Sequence, residues 1–294
     1  MTRGQHRVCS PKRALIIVPS SRLRPTPAPT EVDIIILSNT NSPAMQRMTE
    51  ECVSSLLASE NPESIRFHVV IVESCKSFGG YEPRFGRTIT PRDKFAFNKF
   101  LNLGIRETKS ENVCLCNNDL IFHPGWAAHL LAAMRADPKI ESCCPYCSIY
   151  HPTRGLEPNA PPAFGYHYEA LVGWCIFVKR SVLEKIGPLD EKITFWYAER
   201  DYGNTLEAAR ISHALIPSSC VDHLGSRSIK ECGPMEQSRL TSYQRLYFDY
   251  KWQHRSRLRY GWQSALYFFA LLGRMARSAV ASAWHGRKRS AAAS

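Results

Sequence analysis

Short apolar runs that alternate with helix-period segments constrain this 294-residue chain more than any other feature. Val32–Leu37 is dominated by β-branched residues, and Phe67–Val72 and Val113–Cys116 are further runs of the same kind. Runs of this length suit strands buried on both faces of a sheet. Between them, Met45–Ala58 places Met45, Met48, Cys52 and Leu56 on one helical face, and Phe95–Ile105 is also helical. Pro124 opens a helix that runs through Ala133. Strands alternating with helices predict an α/β fold, with a mostly parallel sheet flanked by helices. Further along, Glu141–Ile149, Val172–Val178 and His213–Ile216 read as strands. Ser181–Ile186 is a short helix stopped by Gly187-Pro188, and Asp201–Ala209 is another helix. Residues 150–170 are rich in Pro, Gly and aromatics, the composition of a lid or binding loop. Residues 235–260 read as one long helix.

Charge divides the chain. The net charge is +12, yet 23 of the 38 Lys/Arg and all 26 Asp/Glu fall within 31–250, which leaves that stretch at net −3. The basicity belongs to the ends. Residues 1–30 form a basic leader without a fixed fold, closing on Pro25, Pro27 and Pro29. Residues 31–252 form the folded domain, and 253–294 a basic helical extension. Trp262, Leu266, Phe269, Ala276, Val280 and Trp284 share one helical face there, with Arg274, Arg277 and Lys288 on another. That pattern suits an anionic membrane surface. It equally suits a terminal helix packed on the domain with a solvated basic face. No nucleic acid is expected, because the body is not basic. Neither a signal peptide nor a membrane-spanning run is expected. The expected place is the cytoplasm, peripherally at the inner face of the cell membrane.

Eleven cysteines lie mostly in apolar runs and read as small buried hydrophobes in a reducing compartment. Cys143, Cys144 and Cys147 form one cluster, but closing a zinc site needs further ligands, and the sequence offers His151 at best.

Chemistry concentrates at three places. Asn117-Asn118-Asp119 ends the run Val113–Cys116, so oxygen ligands stand at the carboxyl edge of a buried strand, where α/β sheets bind ligands. Glu199 and Asp201 form an acidic pair at a helix start, and His223 follows. Asp119 offers a hard oxygen ligand for Mg²⁺ or Mn²⁺, and His223 a second ligand that leans toward Mn²⁺. Of the two later acids, one suits a general base and the other an orienting group. Such a set suits sugar transfer from a nucleoside diphosphate, in which a diphosphate leaves and an acceptor hydroxyl loses its proton.

Together these motifs resemble the inverting glycosyltransferases of family 2, with the GT-A fold, from about Val32 to Trp252. The strand ending in Ser38 and Asn39 resembles the family's opening strand and donor loop, and Glu73 stands where the family binds the nucleobase. Asn98 to Gly104, including Asn102, resembles the helix carrying the Asn-x-Gly motif. Asn117-Asn118-Asp119 resembles the Asp-x-Asp triplet, in the amide-rich form of members like rhamnosyl and galactofuranosyl transferases. Gly173-Trp174 resembles the stretch before the acceptor site, and Ala198 to Gly203 the acidic motif. His223 to Ser226 resembles the late histidine motif, and Lys251-Trp252 a pair that closes the domain.

The resemblance implies donor contacts from Ser38, Asn39, Glu73, Asn102, Asn117 and Asn118, and metal ligation by Asp119 and His223. It implies acceptor contacts from Gly173 and Trp174, and catalysis by Glu199 and Asp201, with Glu199 the base. Ala198 replaces the family's first acid, which leaves the base open between Glu199 and Asp201. The implied partners are a nucleotide-sugar donor, UDP- or dTDP-linked by the Glu73 position, and a glycan or lipid-linked acceptor. The competing reading is an inactive GT-A module that only binds nucleotide or carbohydrate.

Overall fold

The computed structural model describes residues 28–225, 233–253 and 256–291, with side chains through 277 in the last segment. Most of the basic leader lies outside these residues, as do Ser226 and the side chains of Val280, Trp284 and Lys288.

The chain opens with β1 (Thr30–Ser38), α1 (Pro43–Ala58), β2 (Ile65–Glu73), β3 (Arg87–Ile89), α2 (Phe97–Arg106) and β4 (Asn112–Asn117). There follow β5 (Leu120–Phe122), α3 (Trp126–Ala136), β6 (Ser142–Tyr146), β7 (Ala163–Phe164), β8 (Cys175–Lys179), α4 (Arg180–Ile186) and α5 (Ala198–Ala208). The described chain ends with β9 (His213–His223), α6 (Pro234–Leu240), α7 (Ser242–Trp252) and α8 (Arg257–Ala291). The strands join in the order β3-β2-β1-β4-β8-β6-β9-β5, with β7 on β9. β1, β2, β3 and β4 run parallel, and β8 runs against both β4 and β6. β6 and β9 therefore point the same way as β1, and the expected mostly parallel α/β sheet is present.

β1 is buried on both sides, as its composition predicts. Ile34 and Ile36 pack with Cys52 and Leu56 of α1 and with Trp126 and Leu130 of α3. Ile35 and Leu37 pack on the opposite face with Phe100 of α2 and Leu206 of α5. Gly104 lets α2 lie this close, because a Cβ there would stand 2.4 Å from Ile35 Cγ2. Asp33 interrupts the apolar run but is satisfied. It accepts hydrogen bonds from Ser110 N (2.6 Å) and Ser110 Oγ (2.8 Å), and pairs with Arg180 Nη2 at 2.8 Å. The register aligns Leu37 with Asn117 and Ser38 with Glu73, so β1, β2 and β4 deliver polar residues to one edge.

Three expectations change. The strand expected over Glu141–Ile149 stops at Tyr146, and the chain enters a 3₁₀ turn at His151–Arg154. The short strand at His213–Ile216 continues to His223. The single helix over 235–260 is three helices. Thr241, at φ −122° and ψ −97°, breaks the first from the second. Gln244 Nε2 donates to the Arg239 carbonyl at 2.8 Å and Trp196 N to that of Leu240 at 3.0 Å, so acceptors of a continuous helix are captured by a local side chain and by a tertiary partner. Among the described residues no helix is long and apolar enough to cross a membrane.

Candidate active site

Strand pairing builds the first half of the site. β4 ends in Asn117, turns through Asn118-Asp119 and returns as β5 antiparallel to the end of β9, with Leu120 opposite His223. This places Asp119 Oδ2 3.3 Å from His223 Nε2. Leu224 N–H donates to the Asp119 carbonyl at 2.9 Å and ties the two segments. Asp119 is 2% exposed. Trp174 lies flat on the His223 ring, with centroids 4.6 Å apart and planes 5° from parallel, which fixes the imidazole.

Ser38, Asn39, Asn117, Asn118, Asp119 and His223 together line a cavity of about 1080 Å³. Its far wall is Gln237 from α6 and Tyr267, Leu271 and Arg274 from α8; of these the sequence singles out only Arg274, as part of a basic face. A hydroxyl cluster supports its floor. Ser38 Oγ lies 3.2 Å from both Thr40 Oγ1 and Thr49 Oγ1, and 2.9 Å from Tyr81 OH. Asn118 Nδ2 donates to Thr49 Oγ1 at 2.8 Å.

Two residues of the expected donor set, Glu73 and Asn102, lie outside the lining of the cavity. Glu73 is fully buried, and its carboxylate accepts from Thr40 N (3.0 Å), Thr40 Oγ1 (2.7 Å) and Cys75 N (2.6 Å). It ties β2 to the loop after β1 and does not line the cavity. Asn102 exchanges hydrogen bonds with the Leu189 backbone, its Nδ2 donating at 2.9 Å and its Oδ1 accepting at 2.9 Å. It holds the loop before α5 and also lies outside the cavity.

A smaller cavity of about 270 Å³ adjoins the first. Phe97, Asn117, Phe195 and Trp196 line both. Gly173, Trp174, Glu199 and the loop residues Tyr150, Tyr166 and Tyr168 line the smaller one, so the 150–170 loop supplies a wall as expected. Phe195 and Trp196 were missed, although an aromatic run directly before the acidic motif is a usable signal. Glu199 lies in the first turn of α5, which starts at Ala198 after Tyr197 in the left-handed region at φ +70°. A Cβ on Gly173 would stand 2.9 Å from Glu199 Cβ, so only glycine leaves this carboxylate its place. Burial pushes the Glu199 carboxyl above its ordinary range, against the smaller pull of its own backbone N–H and of Arg200.

Asp201, the second acid of the expected catalytic pair, is engaged elsewhere. Asp201 lines neither cavity. Lys251 Nζ approaches its Oδ1 at 2.7 Å and Trp252 Nε1 donates to the same oxygen at 2.7 Å. The Lys251-Trp252 pair thus closes the domain onto α5. Ala198, in place of an acid, is buried with Ile193 and Phe248. The cysteine cluster makes no zinc site: Cys143 and Cys144 face opposite sides of the sheet, and His151 Nδ1 accepts the Cys147 N–H at 2.7 Å.

The donor set of the larger cavity fits a hard divalent cation. It pairs a buried carboxylate with an oriented imidazole nitrogen at a cavity wall, which suits Mn²⁺ or Mg²⁺.

No protein-family model matches this sequence, and no curated protein matches it. Solved structures match the fold. The mannosyltransferase PcManGT from Pyrobaculum calidifontis, in complex with GDP-Man and Mn²⁺, superposes with a TM-score of 0.55 at 16% identity, over 79% of this chain and 66% of that one. GalNAc-T7, with UDP, GalNAc and Mn²⁺, gives 0.50 at 12% identity, over 66% of this chain and 44% of that one. The chain therefore spans less than two thirds of the length of either. At these identities the likeness is one of fold, and the fold is GT-A.

Proposed function

We propose that this chain is a glycosyltransferase that moves a hexose or deoxyhexose from a nucleoside-diphosphate donor to a hydroxyl of a glycan or lipid-linked acceptor, with inversion. The observation that carries the reading is the junction of the two cavities. One holds Asp119 and His223, the other holds Glu199, and Asn117 lines both. The donor would lie in the larger cavity with its sugar toward Asn117, and the acceptor in the smaller. Mn²⁺ or Mg²⁺, held by Asp119 and His223, would neutralise the leaving diphosphate.

Glu199 takes the acceptor hydroxyl proton as the acceptor oxygen bonds the anomeric carbon. The bond from that carbon to the diphosphate oxygen breaks in the same displacement, through an oxocarbenium-like state. A single displacement inverts the carbon. Burial makes Glu199 a stronger base than an exposed carboxylate at neutral pH. Aromatic side chains beside Glu199 would limit the access of water, which would otherwise take the sugar. With Glu73 engaged by Thr40, its carboxylate is not free to select uracil or thymine. The place of work in this reading is the cytoplasmic face of the cell membrane.

The test is a thermal-shift panel of UDP-, dTDP- and GDP-sugars with and without Mn²⁺. One base should raise the melting temperature in a metal-dependent way, and Asp119→Ala should lose the shift. No shift for any sugar nucleotide would sink the reading. Binding without turnover on any acceptor would reduce the protein to a carbohydrate- or nucleotide-binding module.

A further inference from the structure

α8 has two faces with different partners. Its inner face, at Tyr260, Tyr267 and Leu271, packs on the domain: Tyr260 stacks on Tyr250 with centroids 4.9 Å apart, and Tyr267 OH lies 2.6 Å from Ser238 Oγ. Leu271 is buried. Steps of four and three residues in the opposite phase carry Leu258, Trp262, Leu266 and Phe269, which are 88%, 68%, 51% and 69% exposed. A contiguous apolar ridge of this size on a protein surface marks an interaction site. Arg259 and Arg277 are exposed along its flank. Over Arg257–Ala291 the sequence holds seven Lys/Arg and no acid.

We infer that α8 docks this protein on an anionic lipid bilayer, the Leu258–Trp262–Leu266–Phe269 ridge seated at the acyl boundary and the flanking arginines on headgroup phosphates. Charge selects the occupant. A second copy would set two acid-free helices of seven basic residues against each other, whereas anionic headgroups neutralise them. Trp, Phe and Leu on one face with Arg beside them is the composition that lies in a bilayer interface. No helix among the described residues is apolar enough to span, so α8 lies on the membrane. The inference gives a surface to the membrane part of the proposed function, and it rests on that part alone.

The test is co-sedimentation of the full chain with vesicles of phosphatidylcholine alone and of phosphatidylcholine mixed equally with phosphatidylglycerol. The protein should pellet with the mixed vesicles only, and release as salt is raised. Trp262→Glu combined with Phe269→Glu should lower the partition by more than about tenfold, since each ring loses its burial. Both positions are exposed, so the melting temperature without vesicles should not move. Wild-type protein that stays in the supernatant overturns the inference. So does a double variant that pellets equally well, which would leave charge as the only attraction. A wild-type dimer in sedimentation velocity that the double variant converts to monomer would make the ridge a self-association face instead. No nucleotide is present, so failure of the transferase reading leaves this result unaffected.

Discussion

At the residue scale the weight falls on Glu199, because it lines a cavity while the more deeply buried Asp201 is held by Lys251 and Trp252. The Glu199 carboxyl is shifted upward mainly by desolvation, so the basic form appears only above a raised pKa. Transfer should therefore rise with pH and reach a plateau above the ordinary carboxylate range. Glu199→Gln should remove that limb and lower kcat by about 10²- to 10⁴-fold, with donor binding retained in a thermal-shift assay. The stability effect has the opposite sign. A folded pKa above the unfolded value stabilises the protein below the unfolded pKa, and that contribution is lost as pH rises. At neutral pH Glu199→Gln should accordingly keep or raise the melting temperature, and a drop of several degrees would mean the carboxylate holds the fold. Gly173→Ala tests the same group from its neighbour. The added Cβ, 2.9 Å from Glu199 Cβ, must displace it, and a displacement near 1 Å costs about 10²-fold in rate. Sequence could not choose between Glu199 and Asp201, because both occupy the first turn of one helix and only packing decides which meets a cavity. Glu73 and Asn102 lie away from the cavity lining for the same reason. Residue type signalled a polar role, but the backbone and hydroxyl groups that use it come from other segments.

At the element scale, α7 is what holds α5 and its carboxylate in position. Lys251 Nζ bridges Asp201 at 2.7 Å and Asp190 at 3.0 Å, and Tyr247 OH donates to Asp190 at 2.8 Å. Removing one partner of a largely buried pair leaves uncompensated charge. Lys251→Ala, which leaves both carboxylates unmatched, should lower unfolding free energy by about 3 kcal/mol in a denaturant titration. A change below ~1 kcal/mol would class the bridge with surface pairs. The pairing of elements was only partly legible. Runs such as Val32–Leu37 declare a strand because both faces need apolar side chains, and the alternation with helices then dictates parallel order. The break at Thr241 was not legible. It depends on Trp196 capturing the Leu240 carbonyl across space, beside a local Gln244–Arg239 hydrogen bond, and the local sequence reads as continuous helix. β5 was missed because three residues carry no period, yet its pairing with β9 is what brings Asp119 to His223.

At the scale of the whole molecule, one helix serves as wall of the larger cavity and as bearer of the exposed ridge. Tyr267, Leu271 and Arg274 line that cavity while Trp262 and Phe269 point away from it. The inner face is held by ring contacts of Tyr260 with Tyr250 and Tyr247 and of Tyr267 with Tyr243, by the Tyr267–Ser238 hydrogen bond and by the buried Leu271. In any position of α8 away from the domain the larger cavity would lack this wall, and nucleotide would bind less well there. A bilayer under the outer ridge restricts α8 to the docked position, so lipid and nucleotide favour the same state. Two ligands that favour one state must strengthen each other by the same factor. The Kd of UDP with Mn²⁺ should therefore fall about fivefold or more when mixed phosphatidylcholine–phosphatidylglycerol vesicles are added, and nucleotide should tighten vesicle binding by the same ratio. Trp262→Glu with Phe269→Glu should keep the lipid-free Kd and lose the enhancement. Arg274→Ala, a change within the cavity wall, should weaken UDP with or without lipid. Calorimetry of UDP with each protein, with and without vesicles, separates these outcomes. A Kd unmoved by vesicles that demonstrably bind would mean the inner contacts already hold α8 docked, and the membrane would then position the enzyme without tuning it.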